Sequence, residues 1–396
     1  MNTPIIPPLP AGAYRHTLLE RVVHGQAFEQ AVLDEVLMVD AKRVLVIASP
    51  RAQESETLHR LRIALGDRHV GDFCGALPHV PVQCVREGAL MANRLNADHL
   101  VAFGGGSVMD AAKAIALLVQ SRNPTDIAPL LAPQNLSHVD PSRHAAGDDP
   151  WLRITAIPQT LSAAEFTWFA GVSDPDRKIK NIIAHAAMTP RCVILDPALT
   201  LEFPLATFLA SGVKAIDHAV ERLVSLTSHP MSDALSIHAL RMLSQALPVV
   251  RSNPDDLHAR QQCQLASWLS IAGGAAGVKT GASHALGHVL GAHAGIAHGL
   301  TSCALLAPVL RWNASSNHAQ QSHVMSAIGE SHADLGTWVE QLVKKLGLPT
   351  QLREMGVAKD ELPDIAQKSL HDPGMRHNPR PVRSASDALE ILQAAW

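Results

Sequence analysis

The stretch His99-Leu-Val-Ala-Phe103-Gly104-Gly105-Gly106-Ser107-Val-Met-Asp110-Ala-Ala-Lys113 decides the fold. Its first five residues read as a strand, three glycines follow, and an apolar helical pattern runs over 109–119. A strand that passes through glycines into a helix is the repeating unit of a parallel α/β sheet. Three glycines also let the backbone approach a pyrophosphate closely, and a helix start offers free N–H groups at the positive end of a dipole. Gly104, Gly105, Gly106 and Ser107 are therefore expected to cradle a dinucleotide, with Ser107 capping the helix or donating to a phosphate oxygen. The spacing is not G-x-G-x-x-G, so this is not the common dinucleotide fingerprint.

Outward from this unit, further strands are expected at 44–49, 154–157 and 192–195, with a helix over 54–65. After Asp196-Pro197 the strand signals stop. Helical patterns cover 210–225, 232–247, 256–276, 283–290, 300–312 and 335–346. The expected architecture is α/β plus all-α: a parallel-sheet domain over 1–197 and an all-helical catalytic domain over 198–396. Residues 120–150, rich in Pro, Asn, Asp, Ser and His, read as an unusually long loop.

The chain has 396 residues, 47% hydrophobic and 17% charged, with a net charge of −3. That length suits two domains with cores of their own. The near-neutral charge and lack of a basic run speak against nucleic acid as a partner. No apolar run is long enough to span a bilayer, and the first residues do not read as a signal peptide. Five scattered cysteines without C-x-x-C fit reduced thiols, so a cytoplasmic enzyme is expected.

Chemistry concentrates in Gly281-Ala-Ser-His284-Ala-Leu-Gly-His288-Val-Leu-Gly-Ala-His293-Ala-Gly-Ile-Ala-His298-Gly. His284 and His288 are four apart and share a helix face; His298 follows where the next helix begins. Imidazoles gathered in one cleft serve proton transfer or metal binding. His293 is expected to face solvent or cap a turn.

Several motifs occur in a telling order. They are Gly104-Gly-Gly-Ser-x-x-Asp110-x-x-Lys113, Ile157-Pro-x-Thr160, Gly212-x-x-Ala215-x-x-His218-Ala-x-Glu221, the histidine cluster, and His377-Asn-Pro-Arg-Pro381. Together they resemble the iron-containing alcohol dehydrogenase superfamily, over nearly the whole chain from about residue 40. Leu77-Pro-His79-Val-Pro81 and the C-terminal Asn378-Pro-Arg-Pro-Val are most similar to its maleylacetate reductase branch. The Gln159-Thr-Leu-Ser-Ala-Ala-Glu165 stretch departs from the branch by losing a Tyr and a Gly.

The resemblance implies an N-terminal NAD(P) domain, a helical C-terminal domain, a site between them and, often, a homodimer. It adds Ser49, Asp110, Thr160, Ser162 and Lys178 to the expected cofactor contacts. At the end of the first clear strand, Ser49-Pro50-Arg51 carries no acid to repel a 2′-phosphate, so NADH and NADPH both remain open. In metal-dependent members the ligands would be His218, His284, His298 and an Asp four residues before His218; that position here is Lys214. An ammonium ~4 Å from a divalent cation is repelled by roughly 8 kcal/mol at an effective dielectric of ~20. Deprotonating a lysine at pH 7 costs about 4.6 kcal/mol. A site without metal is therefore expected, as in the maleylacetate reductase branch. Asp217, one residue from His218, lies on another helix face and would be a poor substitute ligand.

The expected reaction is reduction of a ketone in an oxo-acid such as maleylacetate, giving 3-oxoadipate, with hydride from NADH or NADPH. The carbonyl oxygen gains negative charge, which Lys214 and protonated histidines (His218, His284, His298) would stabilise, with His288 as proton donor. The alternatives are a metal-dependent alcohol dehydrogenase for a small alcohol or aldehyde, and a non-redox synthase of the dehydroquinate synthase type. His377 and Arg380 are read as loop residues rather than catalytic ones.

Overall fold

Six strands pair side by side, all parallel, in the computed structural model, which describes residues 14, 16–120, 152–174, 179–331 and 334–396. The strands are β1 (Arg21–His24), β2 (Val44–Ala48), β3 (His69–Phe73), β4 (His99–Gly104), β5 (Arg153–Pro158) and β8 (Cys192–Leu195), in the order β1-β8-β5-β4-β2-β3. A separate antiparallel hairpin joins β6 (Phe169–Asp174) to β7 (Ile179–Ala184). The loop expected over 120–150 lies outside the described residues beyond Gln120, and so does Lys178.

The central strands are apolar along their whole length because both faces are covered. Val44, Val46, Ala48, Val101 and Phe103 pack with α1 (Phe28–Met38) and α2 (Glu56–Leu65). The alternating Leu45, Ile47, Leu100 and Ala102 pack with α3 (Val82–Arg94) and α4 (Gly106–Val119). Strand β1, strand β3, the hairpin, α1 and α3 escaped the sequence reading. The two edge strands are only half-buried and carry His, Arg and Asp, so they lack the apolar run that marks β2 and β4.

Beyond β8 the described chain is helical: α5 (Leu205–Leu223), α6 (Pro230–Ser252), α7 (Leu257–Ala275), α8 (Ala282–Ala294), α9 (His298–Ile328), α10 (Leu335–Lys345), α11 (Leu362–Ser369), α12 (Pro373–His377) and α13 (Ala385–Ala395). Helix α5 is the axis of this half. It packs against α6, α7 and α9, and every residue from Phe208 to Leu223 is buried. Its polar residues are therefore forced to find partners inside the protein.

Two glycines set the distances between the helices that carry the histidines. A Cβ at Gly299 would lie 2.8 Å from the Ala210 carbonyl, and one at Gly287 would lie 2.8 Å from Thr301 Oγ1. Without side chains there, α9 seats directly on α5 and α8 seats on α9. No described helix is long and apolar enough to cross a membrane.

Candidate active site

The chain leaves β2 to β3 on one side and then crosses to β4 on the other, which makes the β2/β4 boundary a topological switch point. Ligands of open α/β sheets sit in the crevice outside the strand ends at such a point. Ser49, at the end of β2, and Gly104, at the end of β4, flank it. Helix α4 begins at Gly106 with Gly105 as its N-cap, and no side chain caps it. Ser107 is thus inside the first turn and does not cap the helix, so of its two expected roles donation to a phosphate oxygen is the one left.

Gly104 sits at φ +149°, where a side chain is strained, and a Cβ on it would strike Val108. A Cβ on Gly106 would approach Ser162 Oγ to 2.8 Å, and one on Gly105 would touch Thr160 and Phe203. Thr160 Oγ1 is buried there without a hydrogen-bond partner. An uncapped helix start, a floor of glycines and an orphaned hydroxyl fit the pyrophosphate of a nicotinamide dinucleotide.

Asp110, expected among the cofactor contacts, has partners within the protein. Its Oδ1 pairs with Lys113 Nζ at 2.9 Å and its Oδ2 accepts from the Gly171 N–H at 3.1 Å. Lys113, fully buried, also donates to Ala164 O, Thr167 Oγ1 and Phe169 O. The Asp110–Lys113 pair ties the hairpin to α4.

Across the crevice, α5 presents Lys214, Asp217, His218 and Glu221, all buried. Glu221 accepts from the N–H groups of Gly281 (3.0 Å) and Ser283 (2.9 Å) and pairs with His284 Nδ1 at 2.7 Å. It thus substitutes for a cap at the start of α8. The other contribution to that start is Asn378, whose Oδ1 accepts from the Ala282 N–H at 3.1 Å. Asp217 accepts from Ser283 Oγ and Ser302 Oγ, lies 3.5 Å from His284 Nδ1 and lies 3.5 Å from Lys214 Nζ. On helical phase Asp217 was set aside; it is instead the counter-ion behind Lys214.

Lys214 does not reach out to solvent. Its Nζ is buried and makes no hydrogen bond, so its donors are unspent. Burial holds it below the ordinary lysine range, against the pull of Asp217 and Glu221. Burial pushes Glu221 up to about 8, raised further by Asp217 and opposed by the Gly281 and Ser283 N–H groups. His218 is held well below its usual range by burial, then Arg222 and Lys214; His284 likewise by burial, then Lys214. Burial thus favours the neutral form of both rings, against the expectation that protonated His218 or His284 would carry positive charge.

The four rings do form one cluster. His218 stacks on His284 with centroids 5.1 Å apart, and His288 stacks on His298 at 5.1 Å and 12°. His284 meets His298 edge-on at 6.2 Å. His288 is 31% exposed on its side chain, and its Nδ1 pairs with Asp372 Oδ2 at 2.8 Å. His293 is half-buried and bonds Glu361 at 3.2 Å, away from the cluster. Arg380 stacks on the Trp312 ring at 3.4 Å and donates to Trp312 O, which makes it a structural lock.

Among the described residues, the His/Cys/Asp/Glu atoms that converge within 4.8 Å belong to Asp217, Glu221 and His284; Glu221 and Asp217 hold neighbouring groups, while His284 Nε2 and His218 Nδ1 are buried without a hydrogen-bond partner. A lysine stands at their edge. Three contributors escaped the sequence reading: Glu221 and Arg222 as parts of a buried charge network, and Asp372. Asp372-Pro373-Gly374 is a legible helix start, yet its contact with His288 bridges 84 residues.

Comparison with known proteins agrees with this architecture. Residues 20–197 match the family described as iron-containing alcohol dehydrogenase, and 208–396 match the C-terminal part of the Fe-containing alcohol dehydrogenase family. The chain is 31% identical over 374 residues to a maleylacetate reductase of Burkholderia cepacia, covering 94% of each. It is 26% identical to an NAD-dependent methanol dehydrogenase of Bacillus methanolicus, covering 94% of this chain and 97% of that one. The crystal structure of a maleylacetate reductase from Agrobacterium tumefaciens superposes with a TM-score of 0.82 at 25% identity, over 98% of this chain and 99% of that chain. With family matches over both halves of the chain, the chain belongs to the iron-containing alcohol dehydrogenase family of oxidoreductases acting on CH–OH/C=O groups.

Proposed function

We propose that the chain is an NAD(P)H-dependent reductase of an oxo-acid, of the maleylacetate reductase kind, working without a metal. The observation that carries the reading is Lys214, a buried cation with unspent donors, standing at the edge of the histidine cluster. The maleylacetate reductases among its relatives supply the substrate class. The chain would work on a small molecule, in line with its −3 net charge and lack of a basic run. The proposed division falls after residue 197, with the nucleotide bound by the first half.

Gly104, Gly105, Gly106, Thr160 and Ser162 would hold the dinucleotide by its pyrophosphate, and its dihydronicotinamide would supply the hydride. The conversion of maleylacetate to 3-oxoadipate differs from the ketone reduction expected from the sequence. A hydride and a proton add across the carbon–carbon double bond conjugated to the ketone, and the ketone remains. Negative charge collects on the ketone oxygen as the enolate, so that oxygen is where the protein must place donors. Lys214 meets it with an ammonium whose own counter-ion, Asp217, lies 3.5 Å away. Neutral His218 and His284 line the same wall and add no competing charge. His288 returns the proton to carbon, and its stacking on His298 fixes the plane of the ring.

The decisive experiment is NADH and NADPH oxidation with maleylacetate by chelator-stripped protein. Turnover without added metal supports the reading. A second reading, a metal-dependent alcohol dehydrogenase, draws on His284, whose Nδ1 is held by Glu221 in the manner of carboxylate–histidine metal ligands. Activity that appears only on adding zinc or iron would favour it and remove Lys214 from the mechanism.

A further inference from the structure

Helix α12 is only five residues long, yet it is pressed against the start of α8. Gly374 comes so close that a Cβ on it would lie 2.8 Å from Gly281 O. Its N-cap is Asp372, whose Oδ1 accepts from the Gly374 N–H at 2.8 Å. The other oxygen, Oδ2, takes His288 Nδ1 at 2.8 Å. One carboxylate thus caps a helix and grips an imidazole, and neither oxygen is free to turn away.

From this geometry we infer that Asp372 is the positioning residue for proton transfer, holding His288 with its proton on Nδ1 and Nε2 as the working nitrogen. The inference rests on the role given to His288 above. Burial pushes the Asp372 carboxyl up, but the His288 hydrogen bond and charge outweigh it, so the group stays below the usual carboxylate range. An ionised carboxylate only accepts, so Nδ1 carries a proton whether the ring is charged or neutral. The one proton that comes and goes is on Nε2, at the opposite edge of the ring. In the reduction, the Nε2–H bond breaks and a C–H bond forms on the enolate carbon. The hydride electrons come from the dihydronicotinamide, which is oxidised, and the ring is reprotonated from water. Stacking on His298 and edge contact with His284 at 6.4 Å hold the ring plane while Asp372 fixes its rotation.

The test is Asp372→Asn. Asn caps helices as well as Asp does, so the start of α12 is kept. Its amide can donate to Nδ1, which favours the opposite tautomer. With maleylacetate, kcat is expected to fall about 10²-fold or more with KM nearly unchanged. In ¹⁵N-histidine spectra, the resonances assigned to His288 by their loss in His288→Gln should report Nδ1–H in the wild type and move in Asp372→Asn. In a His288→Gln background the Asp372→Asn change should cost nothing further. An unmoved tautomer, an unchanged kcat, or an equal loss in both backgrounds would overturn the inference. Should the wild type turn over no oxo-acid, the substrate reading falls, and the spectra decide alone: a wild-type Nε2–H tautomer refutes the role of Asp372.

Discussion

Replacing Lys214 by Met removes the ammonium and keeps most of the side-chain volume. Two effects follow, and the structure sizes both. The Lys214–Asp217 separation of 3.5 Å corresponds to about 5 kcal/mol of attraction at an effective dielectric of ~20. Removing one partner of a buried pair typically costs about 3–5 kcal/mol, because the other charge is left behind. Here Asp217 keeps the hydroxyls of Ser283 and Ser302, which puts the loss toward the lower end. The second effect is on rate: deleting one donor to a developing oxyanion costs about 10²–10³-fold in kcat.

The assay is the absorbance of NADPH during maleylacetate reduction, on chelator-stripped protein, well below the melting temperature found by circular dichroism. A companion Lys214→Met/Asp217→Asn protein separates the two effects. It should regain stability by removing the stranded carboxylate, and it should not regain kcat. Wild-type kcat in Lys214→Met would refute the assignment of the enolate charge to Lys214. Recovery of kcat in the double variant would show instead that Lys214 serves only to neutralise Asp217.

Three further outcomes are expected. Glu165 is fully buried and burial raises it to about 7. As an acid raised on folding, its stability contribution is full below about pH 4.5 and is lost as pH rises through 7, by about 3 kcal/mol. Glu165→Gln should therefore flatten the melting temperature between pH 5 and 8, and an unchanged pH dependence would contradict this. His99, buried between strands with its ring 2.8 Å from Thr155 Oγ1, is lowered to about 4 by burial. A depressed histidine gives stability that is present above pH 6.5 and lost as pH falls through 4, so His99→Gln should lower the midpoint of acid unfolding. Gly106→Val should raise the Kd for NADPH at least about tenfold, because its side chain meets Ser162 at the crevice floor. Unchanged affinity, read by quenching of protein fluorescence, would move the dinucleotide elsewhere.

The order of strand, glycines and helix at 99–119 was legible because β4 is buried on both faces and α4 packs nearly all round. The helical half was legible as far as 346, where α5 and the first turns of α9 carry apolar residues at a helical repeat, while the rest of α9 and the short α11, α12 and α13 were not. The weakly buried edges were not, since β1 and β3 pair on one side only and present polar side chains. Among candidate site residues, the i, i+4 spacing of His284 and His288 placed both on one face, and the rings do cluster. Lys214 four residues before His218 was equally legible, as a chemical oddity.

That lysine's counter-ion was legible too: Asp217 is its i, i+3 neighbour on the same helix, although the reading weighed it only as a poor substitute ligand beside His218. What else Asp217 meets was decided by packing. The bare surfaces of Gly299 and Gly287 draw α9 onto α5 and α8 onto α9, which brings Ser302 and His284 to Asp217. The ionisation of His218 and His284 follows from burial that no window of sequence measures. Asp372 meets His288 only because α12 folds back over α8. The sequence by itself determined the strand–glycine–helix unit, the helical half and the roster of chemical groups, because these depend on neighbours along the chain. Apart from the i, i+3 pair of Lys214 and Asp217, which groups meet and which nitrogen is left to work depend on contacts across 63 to 85 residues, and those only the tertiary structure decided.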